Sequence, residues 1–275
     1  MQQEITQVLW NQPAGGSVYR IALSTGSHYA AANPGQFVTL RLPEESEPLL
    51  RRPFSIHRVL HENSGVKGVE ILYKSIGGFT RKLSHAVPGD RVDVLGPLGK
   101  GFTVSSSIEG AALAAGGIGV APMVFLAESL LQAGLSPSRL AVCLGGRTAE
   151  DVLCREQFQA LGLSPQTATE DGSLGEKGLV TGVLERELAR NPAGQADRVY
   201  ACGPMPMLRA VAELAGRHGR ACEVSIETLM ACGVGACLGC AIKDRHHENG
   251  YGHVCIDGPV FEASRLQLGG GDEAG

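Results

Sequence analysis

Cys232, Cys237, Cys240 and Cys255 fall in the order C-x4-C-x2-C-x14-C within the stretch MACGVGACLGCAIKDRHHENGYGHVC. Four thiolates at this spacing suit a plant-type two-iron, two-sulfide centre, which carries electrons singly. The competing chemistry is a four-thiolate zinc site, which needs tetrahedral sulfurs and commonly comes as two paired C-x2-C knuckles. Only one such pair is present. Gly233, Gly235 and Gly239 are interleaved with the cysteines. Lacking Cβ atoms, they let a loop wrap closely and aim backbone N–H groups at sulfur. The spacing favours [2Fe-2S] and keeps zinc as the alternative.

Three further stretches carry groups suited to phosphate or ring recognition. In AALAAGGIGVAPM, Gly116, Gly117 and Gly119 stand between an apolar run and a helical pattern whose first turn holds Pro122. Such a turn can bring backbone against a pyrophosphate at a helix N-terminus, although any tight strand-to-helix connection can use one. In ACGPMPML, Cys202, Gly203 and Pro204 close another apolar run, and the two turns should open on one sheet edge and grip one dinucleotide. The run AVCLGG ends in Gly145, Gly146 and Arg147 rather than an acidic ribose ligand, so NAD and NADP both stay open. In LLRRPFSIHR, Arg51 and Arg52 precede Pro53, Phe54 and Ser55, a guanidinium clamp followed by a small hydroxyl that suits a ring nitrogen. Gly77 and Gly78 lead into Thr80, read as an N-cap and a second phosphate cradle. Neither Ser55 nor Cys202 has a base partner evident in sequence, so no catalytic side chain is assigned and a hydrolase triad is unsupported.

The elements that must hold these groups come in two rhythms. Up to about residue 100, SVYRIALS, GQFVTLRL, PFSIHRVL, GVEILYK and RVDVLG read as short strands between turns, with one helix around residues 80 to 86. This pattern predicts an antiparallel barrel or sandwich. From Ala111 onward, AALAA, AVCLGG, QTATE, RVYAC and CEVSIE alternate with helical patterns in PMVFLAESLLQAG, AEDVLCREQFQALG, LVTGVLERELA and PMLRAVAELAGRHG. That alternation predicts a parallel sheet with its ligands at the carboxyl ends of the strands. The expected units are residues 1–102, 103–227 and 228–275, and the final LQLGGGDEAG is expected to fray.

Composition narrows the function classes. The 275 residues carry 24 basic and 28 acidic side chains for a net charge of -4, which gives no footprint for nucleic acid or anionic lipid. MQQEITQVLW lacks a basic, apolar leader, and no uncharged apolar run approaches the ~20 residues of a membrane helix, so a cytoplasmic location is expected. In a reducing compartment the clustered cysteines read as ligands and the other four as packing residues.

The motifs RPFS, GGFT, GGIGVAP and CGP, followed by the cysteine loop, occur in an order that resembles the ferredoxin reductase-like flavoproteins. More narrowly, ETLMACGVGACLGC and HVCIDGPVF look like the electron-transfer subunits of class 1B dihydroorotate dehydrogenases. The resemblance spans nearly the whole chain and implies an antiparallel β-barrel FAD domain, an α/β parallel-sheet NAD domain and a small C-terminal [2Fe-2S] subdomain. It places FAD on Arg52, Pro53, Phe54 and Ser55, on Leu72, Tyr73 and Lys74, and on Gly78, Phe79 and Thr80. It makes Cys232, Cys237, Cys240 and Cys255 the cluster ligands. Phe79 departs from the glycine usual in relatives before the threonine, a contact that Gly78 would then supply.

The implied path runs from reduced pyrimidine through a partner's FMN to the cluster, to FAD and to NAD+ as exchangeable acceptor. A dihydroorotate-oxidising (β/α)8 barrel alone takes about 250 residues, so that oxidation belongs to another chain. The resemblance implies a complex with an FMN-containing catalytic subunit, two copies of each. The alternatives are a subunit of another NAD(P)-linked complex, sulfur-reducing or bifurcating, and a zinc scaffold without catalysis.

Overall fold

The computed structural model describes residues 1–43, 49–63, 65–190, 198–247 and 250–268. Alternating apolar residues in the first hundred positions form seven strands: β1 (Gln2–Gly15), β2 (Val18–Leu23), β3 (Phe37–Arg41), β4 (Arg52–Ser55), β5 (Arg58–Glu62), β6 (Gly65–Lys74) and β7 (Arg91–Leu98). They pair antiparallel in the order β4-β3-β7-β1-β2-β6-β5. Ile21, Leu23, Val38, Leu40, Val69, Ile71, Val92 and Val94 point into one core. PFSIHRVL, expected as one strand, divides into β4 and β5. Ile56 N–H donates to Gln36, beside β3, while His57 N–H donates to Glu70 of β6. Consecutive residues thus stitch together the two ends of the sheet and curl it into a barrel.

The helix after β6, α1 (Gly78–Leu83), begins earlier than the sequence suggests. Gly77 is its N-cap, and Thr80 sits one turn in, its hydroxyl accepting from the N–H groups of Ile76 and Gly77 at 3.0 Å each. Thr80 is therefore not the cap but the side chain that folds the preceding loop over the helix start.

The second sheet contains β8 (Ala111–Gly116), β9 (Leu140–Gly146), β10 (Gln166–Thr169), β11 (Glu176–Lys177), β12 (Arg198–Cys202) and β13 (Ala221–Ser225). Their order is β11-β10-β9-β8-β12-β13, all parallel. Ala111 to Ala115 are buried on both faces, as a central parallel strand requires. The crossovers include α2 (Met123–Gln132), α3 (Arg155–Ala160), α4 (Val180–Arg190) and α5 (Met205–Arg217). The helix expected over AEDVLCREQFQALG is interrupted: a 3-10 turn spans Ala149–Asp151, and Cys154 takes a left-handed φ of 62° before α3 starts. Leu153 and Phe158 both enter the core. In an unbroken helix residues five apart point about 140° away from each other, so the break is what lets both be buried.

The C-terminal segment forms a hairpin, β14 (Ala241–Lys243) with β15 (Tyr251–His253), and then returns to the parallel sheet. There β16 (Val260–Glu262) pairs antiparallel with β13, Val224 opposite Phe261. The expected third unit thus shares its last strand with the second. Of the tail expected to fray, residues 269–275 lie outside the described residues.

The passage between barrel and sheet is clamped from several sides. Lys100 N–H donates to Gly258 at 2.6 Å and Phe102 N–H to Pro34 at 2.7 Å. Phe102 meets Tyr200 edge-on, and the Tyr200 hydroxyl donates to the Thr103 carbonyl at 2.7 Å. No helix among the described residues is long and apolar enough to cross a membrane.

Candidate functional site

An open cleft of about 650 Å³ runs between barrel, parallel sheet and the segment leading to the cysteine loop. Arg52, Pro53, Phe54 and Ser55 reach it from β4, and Leu72, Tyr73 and Lys74 from the end of β6. These runs are far apart in sequence, but the curl of the barrel sets β4 beside β6. Gly78, Phe79 and Thr80 complete this wall. Every residue that the resemblance marked for FAD therefore borders one cavity.

The aromatic side chains set its shape. Tyr73 stacks on Tyr19 with centroids 5.7 Å apart, and Phe54 meets both Tyr73 and Phe79, at 6.2 and 5.9 Å. Burial pushes the Tyr73 phenol up to about 12, and its hydroxyl donates to Asn11 at 3.1 Å. Phe79 is 4% exposed and packs into the barrel core. A Cβ added at Gly77 or Gly78 would meet no atom within 4 Å, so the backbone just before Phe79 is bare beside the cavity.

The two arginines separate. Arg51 reaches Asp93, its Nη2 2.6 Å from Oδ2, and acts as a strut within the barrel. Arg52 borders the cavity, joined there by Lys74 and Lys82. Sequence reasoning missed the opposite wall: Ser225, which ends β13, Ile226, Glu227, Thr228 and Met230, which follow it, and Pro259, which precedes β16. Glu227 keeps part of its side chain open to solvent, yet the surrounding protein crowds water from its carboxyl and raises its proton affinity. The missed signal was positional, since these residues directly follow the last parallel strand, where ligands gather.

The two glycine turns lie side by side because β8 and β12 are adjacent and parallel. A Cβ on Gly119 would come within 2.4 Å of the Cys202 carbonyl oxygen, so this glycine serves close packing of one turn on the other. Gly117, at φ 55°, faces open space. Gly203 lies against the start of the Gly116–Gly117 turn, and Pro204 begins α5 as its N-cap. Cys202 is buried, and loss of hydration pushes its thiol up to about 12, which leaves it a neutral packing group. Ile118, Ala121 and Pro122 carry the first turn into the cleft wall.

The cysteine loop arranges its sulfurs in two pairs. Cys240 and Cys255 are buried with Sγ atoms 3.2 Å apart. Cys232 takes a hydrogen bond from the Cys237 thiol, and these two lie nearer the surface. Gly235 N–H points at Cys255 Sγ at 3.2 Å, while Val234 and Cys237 N–H groups point at Cys232 Sγ at 3.5 and 3.4 Å. Burial opposes ionisation of Cys232, but these donors outweigh it and bring the thiol down to about 6. Burial and the Cys240 thiol raise Cys255. Among the described residues no three His, Cys, Asp or Glu side chains converge to hold a single ion. Two sulfur pairs with N–H groups aimed at them suit a two-iron cluster better than one tetrahedral zinc.

Loop and cleft share a wall. A Cβ on Gly233 would lie 3.0 Å from Thr39 and 3.9 Å from the Phe37 ring, and Phe37 also borders the cleft.

Comparison with known proteins matches two stretches of the chain to family models. A family model described as the iron-sulfur cluster binding domain of dihydroorotate dehydrogenase B matches residues 227–267, and one described as an oxidoreductase NAD-binding domain matches residues 113–213. The dihydroorotate dehydrogenase B (NAD(+)) electron transfer subunit of Desulforamulus reducens is 42% identical over 232 residues, covering 84% of this chain and 85% of its own. The subunit of the same name from a Geobacillus strain is 37% identical over 98% of this chain and 100% of its own. Among solved structures, an NADH-dependent reduced ferredoxin-NADP oxidoreductase, described for flavin-based electron bifurcation, superposes with a TM-score of 0.81 at 26% identity. That match covers 96% of this chain and 90% of the other. A ferredoxin NADP+ reductase from Neisseria gonorrhoeae with bound FAD and NADP shares the fold at a TM-score of 0.62 and 16% identity, covering 80% and 92%.

Proposed function

Because this chain belongs to the family of dihydroorotate dehydrogenase B (NAD(+)) electron transfer subunits, we propose that its cleft and cysteine loop together link a catalytic partner to NAD+. The protein is an oxidoreductase subunit with FAD, a [2Fe-2S] cluster and NAD+ as cofactors. When bound, the cluster supplies single-electron transfer, FAD exchanges one or two electrons, and NAD+ takes a hydride.

The residues divide the work. Cys232 with Cys237, and Cys240 with Cys255, hold the cluster as two pairs. The N–H groups of Val234, Gly235 and Cys237 offset negative charge on sulfur. Arg52 would supply a guanidinium to a phosphate of FAD, and Ser55 a hydroxyl suited to a ring nitrogen. Pro53, Phe54, Leu72, Tyr73, Lys74, Gly78, Phe79 and Thr80 shape the rest of the FAD site. Gly117, Gly119, Cys202, Gly203 and Pro204 form the turns that admit the nicotinamide nucleotide from the sheet edge. No acid or base is required of this chain.

The observation that carries this reading is the shared wall, where Phe37 lines the cleft and lies beside Gly233 of the cysteine loop. A cluster held by the loop and a flavin held in the cleft would then face each other across that wall. Dihydroorotate is oxidised on the partner, an FMN-containing catalytic subunit, in an assembly of two copies of each with the exposed side of the cysteine loop near the contact.

Co-expression with that subunit tests the reading. The purified complex should show flavin and iron-sulfur absorption and a paramagnetic signal on reduction, co-elute in gel filtration, and reduce NAD+ with dihydroorotate. A colourless protein after anaerobic reconstitution, or one containing zinc, would overturn it. The likeness to the bifurcating oxidoreductase structure supports a second reading, service to a different iron-sulfur complex. Pull-down of the native partner separates the two.

A further inference from the structure

His57 is completely buried where the barrel meets the parallel-sheet unit, two residues after Ser55. Its Nδ1 lies 2.6 Å from the Ala121 carbonyl oxygen, and its Nε2 lies 3.0 Å from Gln157 Nε2 on α3. A carbonyl only accepts and an amide nitrogen only donates, so Nδ1 carries the hydrogen and Nε2 offers its lone pair. Burial lowers the proton affinity of the ring, which keeps it in this neutral form. The charged groups around it are accounted for: Glu70 Oε1, 3.8 Å away, is held by Arg20, and Arg58 is paired with Glu128 of α2 at 2.6 Å. The ring bonds sideways to neutral partners while the nearby charges satisfy one another.

Ala121 closes the turn that starts at Gly117 and borders the cleft opposite β4. Resting on the functional reading above, we propose that His57 is a positioning residue: its Nδ1–H bond to Ala121 fixes the gap between the Ser55 wall and the Gly117–Ala121 turn, and so the distance at which nicotinamide meets flavin. The bond joins the link that follows a strand assigned to the flavin directly to a turn assigned to the nucleotide. Hydride transfer is steep in distance, and a misplacement of about 1 Å can cost on the order of 100-fold in rate.

The test uses the full chain in its complex, with FAD and cluster loaded, mixed anaerobically with NADH. His57→Leu removes both ring bonds. It should retain FAD, lower the limiting rate of flavin reduction about tenfold or more, weaken the long-wavelength nicotinamide–flavin absorption band, and change NADH affinity by only about threefold. His57→Asn keeps an N–H donor near the Nδ1 position and should restore the rate to within about threefold of wild type. Gln157→Met removes only the Nε2 partner and should leave rate and band within about twofold; it stays informative if His57→Leu folds poorly. An unchanged band and rate in His57→Leu, a His57→Asn as slow as the leucine variant, or a large loss in Gln157→Met would each overturn the proposal. Wild-type protein whose flavin NADH cannot bleach would overturn the functional reading instead.

Discussion

The chain carries two populations of cysteine whose chemistry diverges within one molecule. Cys143, Cys154, Cys202 and Cys222 sit in apolar surroundings, and loss of hydration pushes each thiol up to about 12. Cys232 differs because backbone N–H groups from its own loop converge on its sulfur and bring it down to about 6. Burial makes an inert thiol of the packing cysteines, whereas at Cys232 a loop that aims donors at sulfur outweighs it. The contrast locates the chemistry in the backbone of residues 232–240 as much as in the cysteines.

The comparison is broken most directly at Cys237. It is exposed and hydrogen-bonded to Cys232, so Cys237→Ser removes a proposed ligand without opening a cavity. Coupled NAD+ reduction by dihydroorotate should fall about 100-fold or more, while dye reduction by NADH at the flavin survives and iron content drops. Undiminished coupled turnover would remove Cys237 from the ligand set.

A second variant attacks the frame that holds the loop. Asp244 follows β14, is 1% exposed, and accepts from Arg265 Nη2 at 2.5 Å and from the His246 N–H at 3.0 Å. Burial works against its charge, but Arg265 and the backbone donor win, and its carboxyl lies below the usual range. Its stabilising effect is therefore complete above the unfolded value of about 3.9 and is lost as pH falls through the depressed folded value. Asp244→Asn should cost about 3 kcal/mol by denaturant titration at neutral pH, and the difference from wild type should shrink at acid pH. A difference that widens on acidification would show that the Arg265 pair does not stabilise the hairpin.

Both populations were partly legible in the sequence, for different reasons. The four clustered cysteines announce themselves because their spacing is a property of the loop alone. The two alternation rhythms were legible too, because period-two and helical patterns each report which face is buried. What could not be read was anything that depended on the chain meeting itself. Ile56 and His57 divide a strand by changing partners, and the barrel curl that demands this is not local. Cys154 breaks an apparently regular helix so that Leu153 and Phe158 can both be buried. Glu227 and Thr228 belong to the cleft only because β13 ends opposite β4. In the same way, Thr80 looked like a cap because threonine favours caps, whereas its hydroxyl holds the loop before the helix.

Gly235 sharpens the contrast from the backbone side. Its φ is 81°, a Cβ there would meet Ile256 side-chain carbons at 3.1 Å, and its N–H serves Cys255. Gly235→Ala combines left-handed strain of about 1–2 kcal/mol with displacement of a sulfur donor. The cluster should bleach faster in air and its reduction potential should shift, with all four cysteines intact. Unaltered bleaching and potential would mean that the donors are incidental to the centre.

The smallest effect is expected on the other side of the comparison. Cys143 lies in the middle of β9, fully buried among Leu184, Leu188 and neighbouring apolar groups. Cys143→Ala deletes one sulfur atom from a packed core and leaves a small void, a loss of about 1 kcal/mol. Because that thiol neither ionises near neutrality nor faces the cleft, iron content, flavin absorption and coupled turnover should all match wild type. The same burial should shield Cys143 from alkylation in the folded protein, while the Cys232–Cys237 pair reacts once chelation strips its iron. Rapid labelling of Cys143 under native conditions would mean that the parallel sheet opens far more readily than its packing implies, and the division into inert and ligating cysteines would then rest on spacing alone.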